Sequence, residues 1–74
     1  MSADTRRGFD PQKLRQIRRQ QGIGQHTLAQ QVGTLPTHIS KCELGTRNPS
    51  LRMLVAIADA LGTTVDQLLE DPHA

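Results

Sequence analysis

Seventy-four residues leave room for one domain with a modest core, because a chain this short buries only about 60% of its unfolded surface. A single cysteine rules out an internal disulfide framework. The sequence has no long apolar run that could serve as a membrane span or as the core of an export signal, so the expected location is the cytoplasm. The net charge of +2 is unevenly spread: all nine Lys and Arg lie in residues 1–52 with three acids, whereas residues 53–74 hold four acids and no Lys or Arg, a segregation that suggests a polyanion on one side.

Residues 1–8 are polar and without period and read as a flexible tail, in which Arg6 and Arg7 form a basic pair. Helix 1 has several start signals together. Asp10 is placed to cap it, Pro11 occupies the first helical position, and Phe9 and Leu14 stand at the two positions of a hydrophobic staple. Leu14, Ile17 and Arg18 share one face, and Gly22 suits the left-handed turn at the end. Helix 2 starts near Gly24-Gln25, carries Leu28, Ala29 and Val32 inward, and is broken by Gly33. Helix 3 runs from Pro36 to about Leu44, where Gly45 stops it and Asn48-Pro49 bars continuation. Ser50 caps helix 4, whose stripe is Leu51, Leu54, Val55, Ala58 and Leu61, and Gly62 ends it. Thr64-x-x-Gln67 is a capping-box pattern opening a short fifth helix with Val65, Leu68 and Leu69. Residues 72–74 are a tail, and no stretch reads as a strand. The expected fold is all-α: a compact five-helix bundle spanning residues 9–71.

Residues 25–44 carry a more specific signal. Two helices joined by a very short turn must cross steeply, which favours a small residue at the crossing and no side chain in the turn. Ala29 and Gly33 meet both needs. Leu28, Val32, Ile39 and Cys42 then face a shared core, and the arrangement is a helix-turn-helix. If Ile39 and Cys42 face in, Thr37, Ser40, Lys41 and Leu44 project outward.

From Leu14 to Leu69 the chain resembles the Xre-like, phage-repressor (Cro-type) family of helix-turn-helix DNA-binding domains. The matching stretches are 13-KLRQIRRQQGIGQ-25, 28-LAQQVGT-34, then Ile39, Ser40, Glu43, Gly45, 47-RNPS-50 and 51-LRMLVAIADALGTTVDQLLE-70. The resemblance implies a repressor-like fold with helix 3 in the DNA major groove. Candidate base contacts are then Pro36, Thr37, His38 and Lys41. Lysine can donate to guanine O6 and N7, and Thr37 can hydrogen-bond a base edge or set its methyl against thymine. Pro36 has no donor for such a bond. Candidate phosphate contacts are Gln25, His26, Ser40, Arg47 and Asn48, with the N-terminus of helix 2 adding backbone N–H groups beside Gln25. Arg18 and Glu43 match the family's inward charged pair and are expected to form a salt bridge, with Arg18 on phosphate as the competing reading. The chain departs from the family pattern at Leu35, where a capping Ser is common, at Leu44, which replaces a polar residue, and at Cys42, which replaces a larger aliphatic.

Three functions are weighed. The first is a sequence-specific transcriptional regulator, a repressor, bound as a homodimer to an inverted-repeat operator. Leu68, Leu69 and Met53 are its candidate dimer surface, with intradomain core as their alternative role. The second is a protein-interaction or toxin-neutralising module on the same fold, with a second protein as partner. The third, an enzyme, is not expected, because His26, His38 and His73 are scattered and no nucleophile–base pair or phosphate loop is present. His38 and Cys42 stand at i and i+4, but two ligands without partners do not make a metal site. No cofactor is expected.

Overall fold

The structure, a computed structural model, describes residues 8–71. It consists of α1 (Pro11–Gln20), α2 (Gln25–Val32), α3 (Pro36–Leu44), α4 (Leu51–Leu61) and a single 3₁₀ turn, Val65–Leu68. The local start signals act as the sequence suggests. The Asp10 carboxylate accepts from Gln12 N, Ser50 Oγ accepts from Met53 N, and Thr64 Oγ1 accepts from Gln67 N. Each bond satisfies a backbone donor left open at the start of a helix. Gly33 ends α2 at φ +84°, a conformation that a side chain would strain, and it lets α3 leave in a new direction within four residues.

The core is aliphatic. Leu14, Leu28, Ala29, Ile39, Cys42, Ile57 and Leu68 are wholly enclosed, and Leu54, Ala58 and Leu61 nearly so. Full burial of each such Leu or Ile contributes roughly 1.5–3 kcal/mol. Helix α2 packs against α3 and α4, while α1 packs against α3 and the 3₁₀ turn. Ile17, Ile23, Val32 and Val65 close the margins of this core. Leu51 does not join it. Although it falls on the stripe of α4, it lies in the first turn, where nothing packs over it, and it is 71% exposed. Val55, at the flank of the stripe, is 44% exposed.

The expected fifth helix is shortened to the 3₁₀ turn. Its backbone turns extended at Leu69 (φ −100°, ψ 159°), because the chain there pairs with the segment before α1. Phe9 and Leu69 form an antiparallel bridge. Asp10 N donates to Leu68 O at 2.9 Å, and Glu70 N donates to Gly8 O at 2.7 Å. Gly8 N also donates to the Glu70 carboxylate at 3.1 Å, so pairing begins one residue before the expected domain edge. Lys13 Nζ adds bonds to Leu69 O (2.7 Å) and Asp71 Oδ1 (2.5 Å). This pairing is the point at which the structure departs from the expectation of no strand, because both segments are too short to carry an alternating pattern. Leu68 is fully buried under them, which removes it from the candidate dimer surface. Leu69 and Met53 are half-buried against the same core. Arg6, Arg7 and His73 lie outside the described residues.

Candidate nucleic-acid interface

Helix α3 is fixed from beneath by a polar network. Arg18 Nε donates to Glu43 Oε2 at 2.5 Å, and its second guanidinium nitrogen donates to Glu43 Oε1 at 2.9 Å. A third guanidinium bond, 2.8 Å to Ile23 O, closes the turn between α1 and α2. Gln25 Nε2 donates to Glu43 Oε1 at 3.1 Å, which ties the start of α2 to the same carboxylate. Both charged residues are buried, at 9% exposure. Burial alone would push the Glu43 carboxyl up. The hydrogen bonds from Arg18 and Gln25, with the charges of Arg18 and Arg15, outweigh burial and hold it below the usual range. The hydrogen bonds that Arg18 donates to Glu43, with the charge of that carboxylate, hold the guanidinium above its ordinary value against the cost of burial. The expected salt bridge therefore forms, and three of the five guanidinium N–H groups of Arg18 are engaged within the fold.

The start of α3 uses a different device. Its N-cap, Leu35, supplies no side-chain bond, and Pro36 has no N–H to satisfy. Thr34 Oγ1 and His38 Nδ1 instead hydrogen-bond across the first turn at 2.9 Å. The ring of His38 is half-buried, and its Nε2 is enclosed with no protein partner. His38, expected on a base or phosphate, thus holds the turn together rather than projecting from it. Thr37 and Lys41 are exposed on the outward side of α3, one turn apart, with Pro36 and Ser40 half-exposed beside them. Leu35 and Leu44 flank this polar surface, at 69% and 72% exposure.

The remaining candidates fall in two places. Gln25 and Ser40 line a common cavity of about 150 Å³ between α1, α2 and α3. His26 is exposed at the start of α2, while Arg47 and Asn48 are exposed in the loop after α3 and stand apart from that cavity. Arg18 lines the same cavity, as do two cations of α1 that are not among the expected contacts, Arg15 and Arg19. The available signal was their i, i+4 spacing on the flank of Arg18. Among the described residues no group of three His, Cys, Asp or Glu could hold a metal ion, and no helix is long and apolar enough to cross a membrane.

A helix locked inward by a buried ion pair, polar on its outer side and reached through a glycine turn from the helix before it, defines the DNA-binding helix-turn-helix of a transcriptional regulator. The chain belongs to the helix-turn-helix family HTH_3, of Xre/Cro type, which matches residues 14–68. Among solved structures it is similar to the restriction-modification controller protein C.AhdI from Aeromonas hydrophila. The two are 34% identical, with a TM-score of 0.76 over 78% of this chain and 88% of that one. It is also similar to the P22 c2 repressor in complex with a synthetic operator, at 30% identity and a TM-score of 0.77 over 81% and 91% of the two chains. Hydroxypropylphosphonic acid epoxidase from S. wedmorenis contains the fold too (28% identity, TM-score 0.75), but the match spans 32% of that enzyme's chain and 81% of this one. No curated protein sequence matches the chain.

Proposed function

We propose that residues 9–71 bind double-stranded DNA with α3 in the major groove, as a cytoplasmic repressor that pairs on an inverted-repeat operator. The observation that carries this reading is the division of α3. Its inner residues Ile39, Cys42 and Glu43 are buried, while Thr37 and Lys41 stand free at one turn's spacing. Lys41 and Thr37 read base edges, with Pro36 against the groove wall. Gln25, His26 and Ser40 face one stretch of backbone, and Arg47 and Asn48 face another. His38 acts by positioning the first turn. A domain of this size gains affinity and register by binding two half-sites related by a two-fold axis. Leu51 and Val55, exposed one turn apart on α4, replace Leu68 as the apolar contact between subunits. The reading assigns no catalytic role, and the likeness to an epoxidase covers too little of that enzyme to support one.

Selection from a random duplex library tests the proposal. An enriched inverted repeat whose preference relaxes in Lys41→Ala or Thr37→Ala, by about 1–3 kcal/mol per lost base contact, supports it. Salt-sensitive binding with no enriched sequence rejects base readout. A second reading, a protein-binding module, draws on the exposed Leu35 and Leu44 beside the reading surface. Under that reading the principal interaction survives salt that strips DNA from Lys and Arg.

A further inference from the structure

Helix α1 carries four basic side chains and no acid. Two are committed within the fold: Lys13 to Leu69 and Asp71, and Arg18 to Glu43. Arg15 and Arg19 are exposed, and among the described residues neither is hydrogen-bonded or paired with a carboxylate. Arg15 touches Glu43 only through its field. They stand at i and i+4, one above the other, where like charges repel and weaken a helix. A last-turn cation is favoured by the helix dipole, which accounts for Arg19 but not for Arg15 in mid-helix.

Both side chains line the cavity shared with Gln25 and Ser40, and both also line an open hollow beside Gln12 and Gln16. Three guanidiniums line the cavity, those of Arg15 and Arg19 uncommitted and that of Arg18 held by Glu43, together with the Ser40 hydroxyl and the second amide hydrogen of Gln25, whose first is on Glu43. The one carboxylate in the wall, Glu43, has both oxygens already engaged. Such a wall suits an anion. It lies where α1, α2 and α3 meet, beside the start of α2 and the Ser40 flank of α3, next to the candidate phosphate contacts.

We propose that Arg15 and Arg19 form a phosphate clamp on α1, closed by Gln25 and Ser40, which seats a backbone phosphate of the bound duplex. The clamp rests on the DNA-binding reading above. It fixes register and affinity without reading sequence.

Because the contact is independent of sequence, a short fluorescent mixed-sequence duplex is a sufficient probe. Its affinity for wild type and for the Arg15→Gln/Arg19→Gln variant is followed between about 50 and 200 mM NaCl. Loss of one seated phosphate flattens the slope of log K against log salt by about 0.9. On the duplex that the library selection enriches, where base contacts fix the register, ethylation of individual phosphates identifies the one that matters to wild type and no longer matters to the variant. Circular dichroism melting confirms the fold, and the two single substitutions replace the double one if it is unstable. A variant that keeps the wild-type slope and ethylation pattern overturns the clamp and leaves DNA binding standing. A wild type with no salt-sensitive binding overturns both. Stabilisation of wild type alone by inorganic phosphate, with an unchanged DNA slope, marks a free-anion site and overturns the duplex as the source.

Discussion

Arg18 and Glu43 meet through two hydrogen bonds across 25 residues of chain, at 2.5 and 2.9 Å, and both side chains are almost completely removed from water. The pair joins α1 to α3 and sets the level at which α3 stands above the core. Glu43→Ala leaves a buried guanidinium without its partner, and the expected loss is about 3–5 kcal/mol. Thermal melting reads this as a fall well beyond 10 °C, at roughly 4–8 °C per kcal/mol for a domain of this size. The Arg18→Met/Glu43→Leu double variant, which leaves no charge behind, loses far less than Glu43→Ala. Equal losses in the two variants would remove the buried charge as the cause.

Acid acts through the same carboxylate. Glu43 titrates below its ordinary value of 4.5, so its contribution to stability is complete above that pH. It fades as the pH falls through the depressed value, when the folded protein too takes up the proton. Melting temperatures measured from pH 7 to pH 3 drop more steeply for wild type below about pH 4.5 than for Glu43→Gln, which has nothing to titrate there. Parallel curves would show that other carboxylates govern the acid transition.

Thr34→Val keeps shape but removes the partner of His38 Nδ1, leaving both ring nitrogens without a protein bond. The cost is about 1–3 kcal/mol, the penalty for a buried polar group left unmet. The amides of His38 and Ile39, which donate to Leu35 O, exchange faster with solvent in this variant. Thr34→Ser retains the bond and stays close to wild type. If Ser and Val behave alike, the hydroxyl has no part in the turn.

Cys42 is fully enclosed. Burial pushes its thiol up, the charge of Arg47 offsets part of that shift, and the charge of Glu43 adds to it. A soluble disulfide reagent at neutral pH therefore reacts only when α3 opens, on the order of a thousandfold more slowly than with the denatured chain. Rapid labelling of the folded protein would place the thiol at the surface.

Much of the fold is legible in the sequence because its signals are local. Asp10-Pro11, Gly33, Pro36, Gly45, Ser50 and Gly62 set the ends of four helices through backbone geometry and caps that involve only near neighbours. The Arg18–Glu43 pair was legible from the family resemblance, supported by two charged residues on core-facing sides. The outward direction of Thr37 and Lys41 followed from the 3.6-residue period once Ile39 and Cys42 were placed inside.

Tertiary structure decided the rest. Periodicity gives a stripe but not how far a neighbouring helix extends along it, so Leu51 looked like core and is exposed. Hydrophobicity does not say which surface a leucine covers, so Leu68 was equally a subunit contact and an internal residue until the segment around Gly8 paired over it. His38 was turned inward by a hydroxyl four residues earlier, and Arg15 and Arg19 became walls of a cavity only when α2 and α3 came to lie beside α1. The sequence by itself determined where the helices begin and end, since those energies are settled within one turn of chain. Which side chains meet across the helices depended on how the helices pack, and only the folded structure specifies that.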